Sequence, residues 1–192
     1  MATIGMDKLY YALITDGQTG ETYGTPALIG KAISAEISVT YSDDQLYGDD
    51  AIAESVHEFS SGTLKLSTTN LDSEVVSALT GATVDSNGVL IASAEDSAPY
   101  VAVGFRAKKS DGKYKYVWLY RVKFGVPTEN ANTKGSSVTF STPSIEGTVF
   151  PRNKAFSGAH PWKVSVDESE DGANAATVSG WFNAVYEPSA IS

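Results

Sequence analysis

The sequence predicts a mainly β protein, an antiparallel β-sandwich or barrel with one flanking α-helix and a short C-terminal helix. Apolar and polar residues alternate in many segments of strand length, as they do in half-buried strands. Glycine-containing turn sequences separate these segments, and only two segments have a helical pattern. The length of 192 residues favours a single domain over residues 1–192.

The first half of the chain contains long strand-like segments. Residues 7–15 form an apolar strand pattern, and residues 31–41 alternate regularly between apolar and polar side chains. The acidic residues 42–50 predict an exposed loop. Residues 51–71 predict either two strands, broken at Ser60-Ser61-Gly62, or one long strand with a bulge.

The clearest helix signal is the segment 71–81, LDSEVVSALTG. Asp72 or Ser73 can cap its N-terminus, and Gly81 stands at the C-cap position. A second, shorter helix is predicted over residues 176–186, although its internal glycine weakens it.

Two hairpins and a further pair of strands complete the pattern. Asn87-Gly88 stands between two apolar segments and predicts a tight β-turn. A longer hairpin is predicted to turn at residues 110–112. Residues 136–150 predict two strands, with Pro143 marking a break or an edge.

The segment 112–124, GKYKYVWLYRVKF, alternates with unusual regularity. Side chains of a strand point alternately to opposite faces, so this segment predicts one aromatic face and one basic face. We expect the aromatic face to belong to the core, with Tyr114, Tyr116, Trp118, Tyr120 and Phe124. The opposite face leaves Lys113, Lys115, Arg121 and Lys123 as outward charges.

Charge is distributed in blocks along the chain, which carries a net charge of −9. The first hundred residues are strongly acidic, residues 101–160 are basic, and the last segment is acidic again. This arrangement is compatible with a nucleic-acid patch, with complementarity between copies of the chain, or with neutralisation inside one fold.

No sequence signature of catalysis is present. The histidines His57 and His160 lie far apart, there is no cysteine, and the common hydrolase, metalloprotease and nucleotide-binding motifs do not occur. The acidic stretch 42–50 lacks the spacing of a calcium loop. We therefore predict neither an enzyme nor a bound cofactor or metal. The N-terminal segment lacks the pattern of a signal peptide or membrane span, so no membrane association is expected.

Two binding functions remain open from the residues alone. The basic hairpin 106–123 resembles a ribbon that tracks phosphates and stacks bases, although its cations and rings fall on opposite faces. Alternatively, a β-sandwich could bind glycans through exposed tryptophans, with Trp118, Trp162 and Trp181 as the candidates.

Several segments in order resemble the major tail proteins of long-tailed (siphovirus-type) bacteriophages of Gram-positive hosts. They are MATIGMDKLYYALIT, ISAEISVTYSDDQLYGDD, VGFRAKKSDGKYKYVWLYRVKFGVP, TKGSSVTFSTPSIEGTVFPRNK and the C-terminal HPWK and WFNAVYEP. The resemblance covers nearly the whole chain. It implies a tail-tube fold, a β-sandwich with a flanking helix that is related to the tube protein of type VI secretion.

The same resemblance implies a structural virion protein that self-assembles into stacked hexameric rings. The resulting hollow tube would form around a tape-measure protein in the host cytoplasm, meet terminator and baseplate proteins, and deliver the genome without gripping the DNA. We expect a net acidic lumen, because a basic one would hold DNA. The candidate contacts between subunits are Asp43, Asp44, Tyr47, Asp49, Asp50, Arg106, Lys108, Lys109, Lys113, Lys115, Arg121 and Lys123.

Overall fold

The computed structural model describes residues 2–18, 20–48, 51–129 and 142–189, and within these it describes 43–48 and 51–57 by their backbone alone. The chain is mainly antiparallel β, which confirms the predicted fold class. The elements are β1 (Thr3–Gly17), β2 (Gly20–Tyr23), β3 (Ala27–Gly30), β4 (Ala32–Gly48), β5 (Ala51–Thr68), α1 (Ser73–Thr80), β6 (Thr83–Val84), β7 (Leu90–Ile91), β8 (Tyr100–Lys109), β9 (Tyr114–Phe124), β10 (Ser144–Phe150), β11 (Lys163–Asp167) and α2 (Ala175–Ser179).

Nine of the described strands form one unclosed sheet with the order β2-β1-β8-β9-β10-β5-β4. Two shorter strands attach beside this path, because β3 also pairs with β1 and β11 also pairs with β9. The small strands β6 and β7 form a separate hairpin. Consecutive strands joined by short turns thus pair as hairpins, while β8 to β10 occupy the middle of the sheet and contribute most to its core.

Local sequence signals place the helix and the tight turns correctly. The helix α1 begins after Asp72 and ends at Gly81, whose φ of 82° is left-handed and whose N–H donates to the Ser77 carbonyl. Gly88 has a φ of 80° in the β6–β7 turn, and Gly112 has a φ of 83° between β8 and β9. The predicted helix and both predicted hairpins are therefore confirmed.

The β4–β5 hairpin differs from the prediction in the segment from residue 42 onward. The expected loop over 42–50 is wrong, since β4 continues to Gly48 and β5 begins at Ala51. Residues 51–68 form one long strand with a bulge, because Thr40 and Tyr41 pair with Ser61 and Phe59 and leave Ser60 without an opposite residue. The acidic composition of this segment obscured its strand conformation.

The C-terminal helix is shorter than predicted, and one of the two strands predicted before Phe150 lies mostly outside the described residues. The C-terminal helix predicted over 176–186 ends at Ser179, because Gly180 serves as its C-cap and the following residues form turns. Of the two strands predicted over 136–150, the second is β10, which starts directly after Pro143. Most of the first lies outside the described residues.

A bulge in β9 changes which side chains share a face. β8 places Ala102 alone opposite both Tyr120 and Arg121, so the alternation of β9 shifts by one residue there. Phe124 consequently packs in the cluster that contains Leu119, on the opposite side of the sheet from Tyr120. The prediction that Phe124 shares a face with Tyr116, Trp118 and Tyr120 is therefore wrong, although Phe124 is buried as predicted.

The sheet buries both of its faces at β9. One cluster is mainly aliphatic and includes Leu9, Ile29, Leu64, Leu66, Leu79, Val101, Val103, Leu119, Phe124, Ile145 and Val149. The other is mainly aromatic and includes Ala12, Ala102, Tyr116, Trp118, Tyr120, Trp181 and Val185. Among the aromatic residues of β9 that were predicted to be core, Tyr114 is only half-buried. A strand buried on both faces needs apolar residues at successive positions, which β9 supplies over 116–120.

Candidate functional site

The strand β4 presents a long free edge. It stands at the end of the strand order, and β5 is its one partner among the described strands. An edge strand exposes a row of backbone N–H and C=O groups that can pair with another chain. At 17 residues, β4 is much longer than the usual edge strand, which natural proteins keep short.

Beyond the sheet, β4 and β5 continue as a two-stranded ribbon. The strand β10 pairs with β5 only from Gly62 to Ser67, whereas β4 and β5 remain paired out to Gly48 and Ala51. In the ribbon, defined here as residues 41–48 and 51–59, no other described strand pairs with either edge. A two-stranded ribbon is marginally stable in water, so pairing with a further strand would stabilise this segment.

The predicted acidic contact residues lie on this ribbon or outside the described residues. Asp43, Asp44 and Tyr47 belong to the ribbon part of β4, where Asp43 pairs with His57 and Asp44 with Val56 along the backbone. Asp49 and Asp50 lie outside the described residues. Their role as contacts between subunits stays a prediction.

Arg106, a predicted contact, is paired within the chain. Its Nε and Nη2 donate to the two carboxylate oxygens of Asp7 at 2.6 and 2.7 Å, a bidentate pair across the β1–β8 boundary. Its guanidinium also lies 3.9 Å from the ring centroid of Tyr114. The hydrogen bond with Arg106 lowers the pKa of Asp7, and the same bond raises the pKa of Arg106.

Arg121 is buried, so the prediction that it points outward is wrong. Its Nη1 donates to Asp16 at 2.9 Å and to Glu21 at 2.8 Å, and the Glu21 side chain has no exposed area. Glu21 also accepts a hydrogen bond of 2.8 Å from Tyr23, and burial together with this bond raises the pKa of Tyr23. Tyr100 lies under the guanidinium at 3.8 Å. The bulge at Tyr120 and Arg121 brings this cation to the β1–β2 hairpin.

Lys109 also forms an ion pair within the chain. Its Nζ donates to both carboxylate oxygens of Asp167 at 2.8 Å and to Ser169 at 2.6 Å. The hydrogen bond from Lys109 lowers the pKa of Asp167. The neighbouring Lys113 donates to the carbonyl oxygen of Glu168 at 3.4 Å. The tip of the β8–β9 hairpin is thereby fastened to the segment that follows β11.

The remaining predicted cations have no ion pair with any described residue. Lys108 and Lys115 are exposed, and the half-buried Lys123 lies 5.4 Å from the centroid of the Tyr100 ring. Burial, reinforced by the charge of Lys115, lowers the pKa of Lys163. Several predicted contact residues are therefore neutralised inside the fold, whereas Lys108, Lys113, Lys115 and Lys123 form no ion pair with a described carboxylate.

A C-terminal segment covers the aromatic face, a contact that the sequence pattern indicated only weakly. Residues 175–187 lie over β9, where Trp118 donates to the Trp181 carbonyl at 3.0 Å and Tyr120 donates to the Tyr186 carbonyl at 2.9 Å. The ring of Phe182 stacks on Tyr10 with centroids 4.9 Å apart. The aromatic content of WFNAVY was the available signal.

The described residues contain no cluster of three or more histidine, aspartate and glutamate side chains that could hold a metal ion. His160 contacts the carbonyl oxygen of Arg152 at 3.0 Å through Nδ1, and the side chain of His57 is not described. No described helix is long and apolar enough to cross a membrane.

Comparison with protein families gives a match over most of the chain. The model of the phage tail tube protein family matches residues 32–183. The chain belongs to the phage tail tube proteins. A comparison with curated proteins gave no match.

Two solved structures are similar to this tail tube protein in fold at very low identity. The tube-terminating cap of the anti-feeding prophage has a TM-score of 0.47 and 6% identity, covering 87% of this chain and 93% of the other. The baseplate structure of the same particle, 6-fold symmetrised, has a TM-score of 0.37 and 6% identity, covering 86% and 96%.

Family membership makes this chain a structural component of a virion tail, in a family that is not known for catalysis. For a tail tube protein, the surfaces that matter are those that meet other copies. The family match begins at Ala32, the first residue of β4, and includes the free edge and the ribbon.

Proposed function

We propose that this tail tube protein assembles into hexameric rings, which stack into the hollow tail tube of a siphovirus-type phage of a Gram-positive host. The tube delivers the genome to the host cell. It is assembled in the host cytoplasm around a tape-measure protein and meets terminator and baseplate proteins at its ends. The ring number, the tail type, the host class and these partners follow from the resemblance of the sequence segments given above.

The long β4–β5 ribbon, whose two edges pair with no other described strand, is the observation that carries the proposal. Its β4 edge and its β5 edge are different surfaces, and neither is paired by a described strand beyond Gly62. The β4 edge of one copy can therefore pair with the β5 edge of the next. Contacts between unlike surfaces generate rings when the rotation closes, and a closed barrel of ribbons leaves no free edge.

A DNA-binding function for the hairpin 106–123 has less support. Arg106, Lys109 and Arg121 already bind carboxylates of this chain, which removes three of its strongest phosphate-binding groups.

Glycan binding has less support as well. Trp118 and Trp181 are buried at 0% and 3% exposure, and half-buried Trp162 stacks on Phe59.

Negative-stain electron microscopy of the purified full-length protein tests the proposal. We expect rings or hollow tubes at high protein concentration. A protein that stays strictly monomeric, even with preformed tail initiator complexes, would contradict ring assembly.

A gel-shift assay tests the alternative function, DNA binding, because only a DNA-binding protein retards duplex DNA with an affinity that falls steeply with salt.

A further inference from the structure

In one half of the main sheet, one face is not covered by any other described element. On β4, β5 and β10, the side chains opposite the aliphatic core point to solvent, and most of them carry hydroxyl groups. We call this surface the hydroxyl face; its residues are Ser34, Glu36, Ser38, Thr40, Ser61, Thr63, Lys65, Ser67, Ser144, Glu146 and Thr148. They are exposed or half-buried, while the intervening residues of β5 and β10 are buried.

The strand register aligns these side chains into rows that cross three strands. Ser34, Ser67 and Ser144 form one row, since Ser67 pairs with both of the others. Ser38, Thr63 and Thr148 form another in the same way. Directly opposite side chains on one face of antiparallel strands are close neighbours. The hydroxyl groups therefore form a continuous polar surface and not scattered points.

The single cation of the hydroxyl face stands between two anions. Glu36 and Glu146 are the two direct partners of Lys65, on β4 and β10 respectively. Two glutamates and one lysine give the face a net charge of −1. Lys123 of β9 pairs with Thr148 and so lies at the border of the hydroxyl face. Its ammonium group is 5.4 Å from the centroid of the Tyr100 ring. The free lysines Lys108 and Lys115 lie on other strands.

The other half of the same sheet side is closed off. Over β8 and β9 the C-terminal segment covers the aromatic residues, with Phe182 against Tyr10 and Trp118. The described residues that make up the hydroxyl face therefore include neither of the two kinds of group that hold nucleic acid, a set of uncompensated cations and a platform of exposed rings. The hydroxyl face also adjoins the free edge of β4, where a neighbouring copy can extend the surface.

Duplex DNA carries about one negative charge per 1.7 Å of its axis, and each phosphate that a cation neutralises adds affinity by releasing counterions. A channel that DNA must traverse works best when its wall offers neither this electrostatic grip nor stacking. Short hydroxyl side chains satisfy this requirement, because they bind water and bring no net charge. The nearly neutral hydroxyl face has this composition.

We propose that the hydroxyl face lines the lumen of the tube and is the surface that duplex DNA passes. This inference rests on the proposed assembly into a hollow tube. It refines the expectation of an acidic lumen, because on this face weak acidity accompanies a wall made mainly of hydroxyl groups. Lys108 and Lys115, on β8 and β9, are not part of this face.

Cysteine labelling tests the placement, because the chain has no cysteine of its own. Thr63→Cys places one thiol at the centre of the hydroxyl face, and Val89→Cys places one on the exposed β6–β7 hairpin as the control. Each variant is treated with a small maleimide and with a maleimide attached to a folded protein, as assembled tubes and as dissociated subunits. Ser38→Cys serves as a second site if Thr63→Cys fails to assemble.

We expect Thr63→Cys in tubes to react with the small reagent and to be protected from the protein-sized one, with full reaction after dissociation. Equal reaction of Thr63→Cys with both reagents in intact tubes would overturn the placement, as would protection from both reagents, which would indicate a subunit interface. If the native protein forms no tubes at all, the proposed function fails and not this inference alone.

A charge substitution tests whether duplex DNA is the molecule that passes the hydroxyl face. Tubes of Thr63→Lys should retain duplex DNA at low salt and release it as salt rises, whereas native and Thr63→Glu tubes should retain none. Val89→Lys is the control for a cation placed off the hydroxyl face. If Val89→Lys tubes retain as much DNA as Thr63→Lys tubes, or if native tubes bind DNA tightly, DNA does not pass this surface as proposed.

Discussion

The indole Nε1 of Trp118 donates a hydrogen bond of 3.0 Å to the carbonyl oxygen of Trp181, which joins the middle of β9 to the C-terminal segment. Both side chains are buried, but the two indole N–H groups differ. That of Trp118 is satisfied, whereas that of Trp181 has no hydrogen-bond partner among the described residues. The two tryptophans are therefore a matched pair for measuring what this connection contributes.

Trp118→Phe should destabilise the protein more than Trp181→Phe. Both changes remove the same volume from the core, but only the first leaves a buried carbonyl without its donor, which costs about 1–3 kcal/mol. Urea unfolding monitored by far-UV circular dichroism gives the two free energies of unfolding. Equal losses for the two variants would mean that the hydrogen bond contributes nothing to the docking of the C-terminal segment.

Gly104→Ala should be destabilising because of the same tryptophan. A Cβ at Gly104 would lie 2.7 Å from the Trp118 ring, which is fully buried and cannot move aside. Overpacking of this kind costs about 1–3 kcal/mol. Gly5→Ala on β1 is the control, since its Cβ would meet nothing within 4 Å. Thermal unfolding that ranks the two variants the other way round would refute the packing described here.

Arg121→Met should cost more stability than any change at an exposed lysine. It leaves the fully buried Glu21 carboxylate without its cation, and breaking a buried pair costs about 3–5 kcal/mol. Lys115→Met, at an exposed side chain, should stay within about 0.5 kcal/mol of the native protein. The double variant Arg121→Met with Glu21→Met should recover part of the loss. A small effect of Arg121→Met in urea unfolding would show that Glu21 finds another partner.

Acid should weaken the fold through Asp7 and Asp167. Hydrogen bonds from Arg106 and Lys109 lower the pKa of these carboxyl groups in the folded state. Groups of this kind stabilise the fold above their unfolded pKa of about 3.9, and the stabilisation is lost as the pH falls through the lower folded pKa.

The free energy of unfolding should therefore fall as the pH drops below about 4, and Asp167→Asn should flatten this dependence. Asp171→Asn, at an exposed residue with no described partner, is the control. Urea unfolding across the acidic range provides the measurement. An unchanged acid dependence in both Asp167→Asn and Asp7→Asn would exclude these ion pairs as its source.

Local signals in the sequence predicted much of the fold. Gly81 at the end of α1 and Gly88 and Gly112 in turns need positive φ angles that glycine adopts at no steric cost, so short-range chemistry identified these positions. The strand over 31–41 was predictable for a similar reason, because its alternation records one buried face and one exposed face. Both kinds of signal depend only on neighbouring residues.

The features that the sequence did not predict depend on distant residues. The bulge at Tyr120 and Arg121 exists because β8 offers one residue opposite two, and no pattern within β9 alone reveals that. The burial of Arg121 depends on Asp16 and Glu21, which lie about a hundred positions earlier. The regular alternation of GKYKYVWLYRVKF therefore predicted a single pair of faces, where the structure exchanges them part-way.

Electron microscopy of a protein with a shortened ribbon tests the claim that the β4–β5 ribbon drives assembly. Ser42 pairs with Glu58, so residues 43–57 can be replaced by Asn-Gly, which closes a two-residue hairpin. We predict that this variant keeps a circular dichroism spectrum of folded β-sheet, with cooperative unfolding, and remains monomeric while the native protein forms rings or tubes. Rings or tubes of the shortened variant, as abundant as those of the native protein, would contradict the claim.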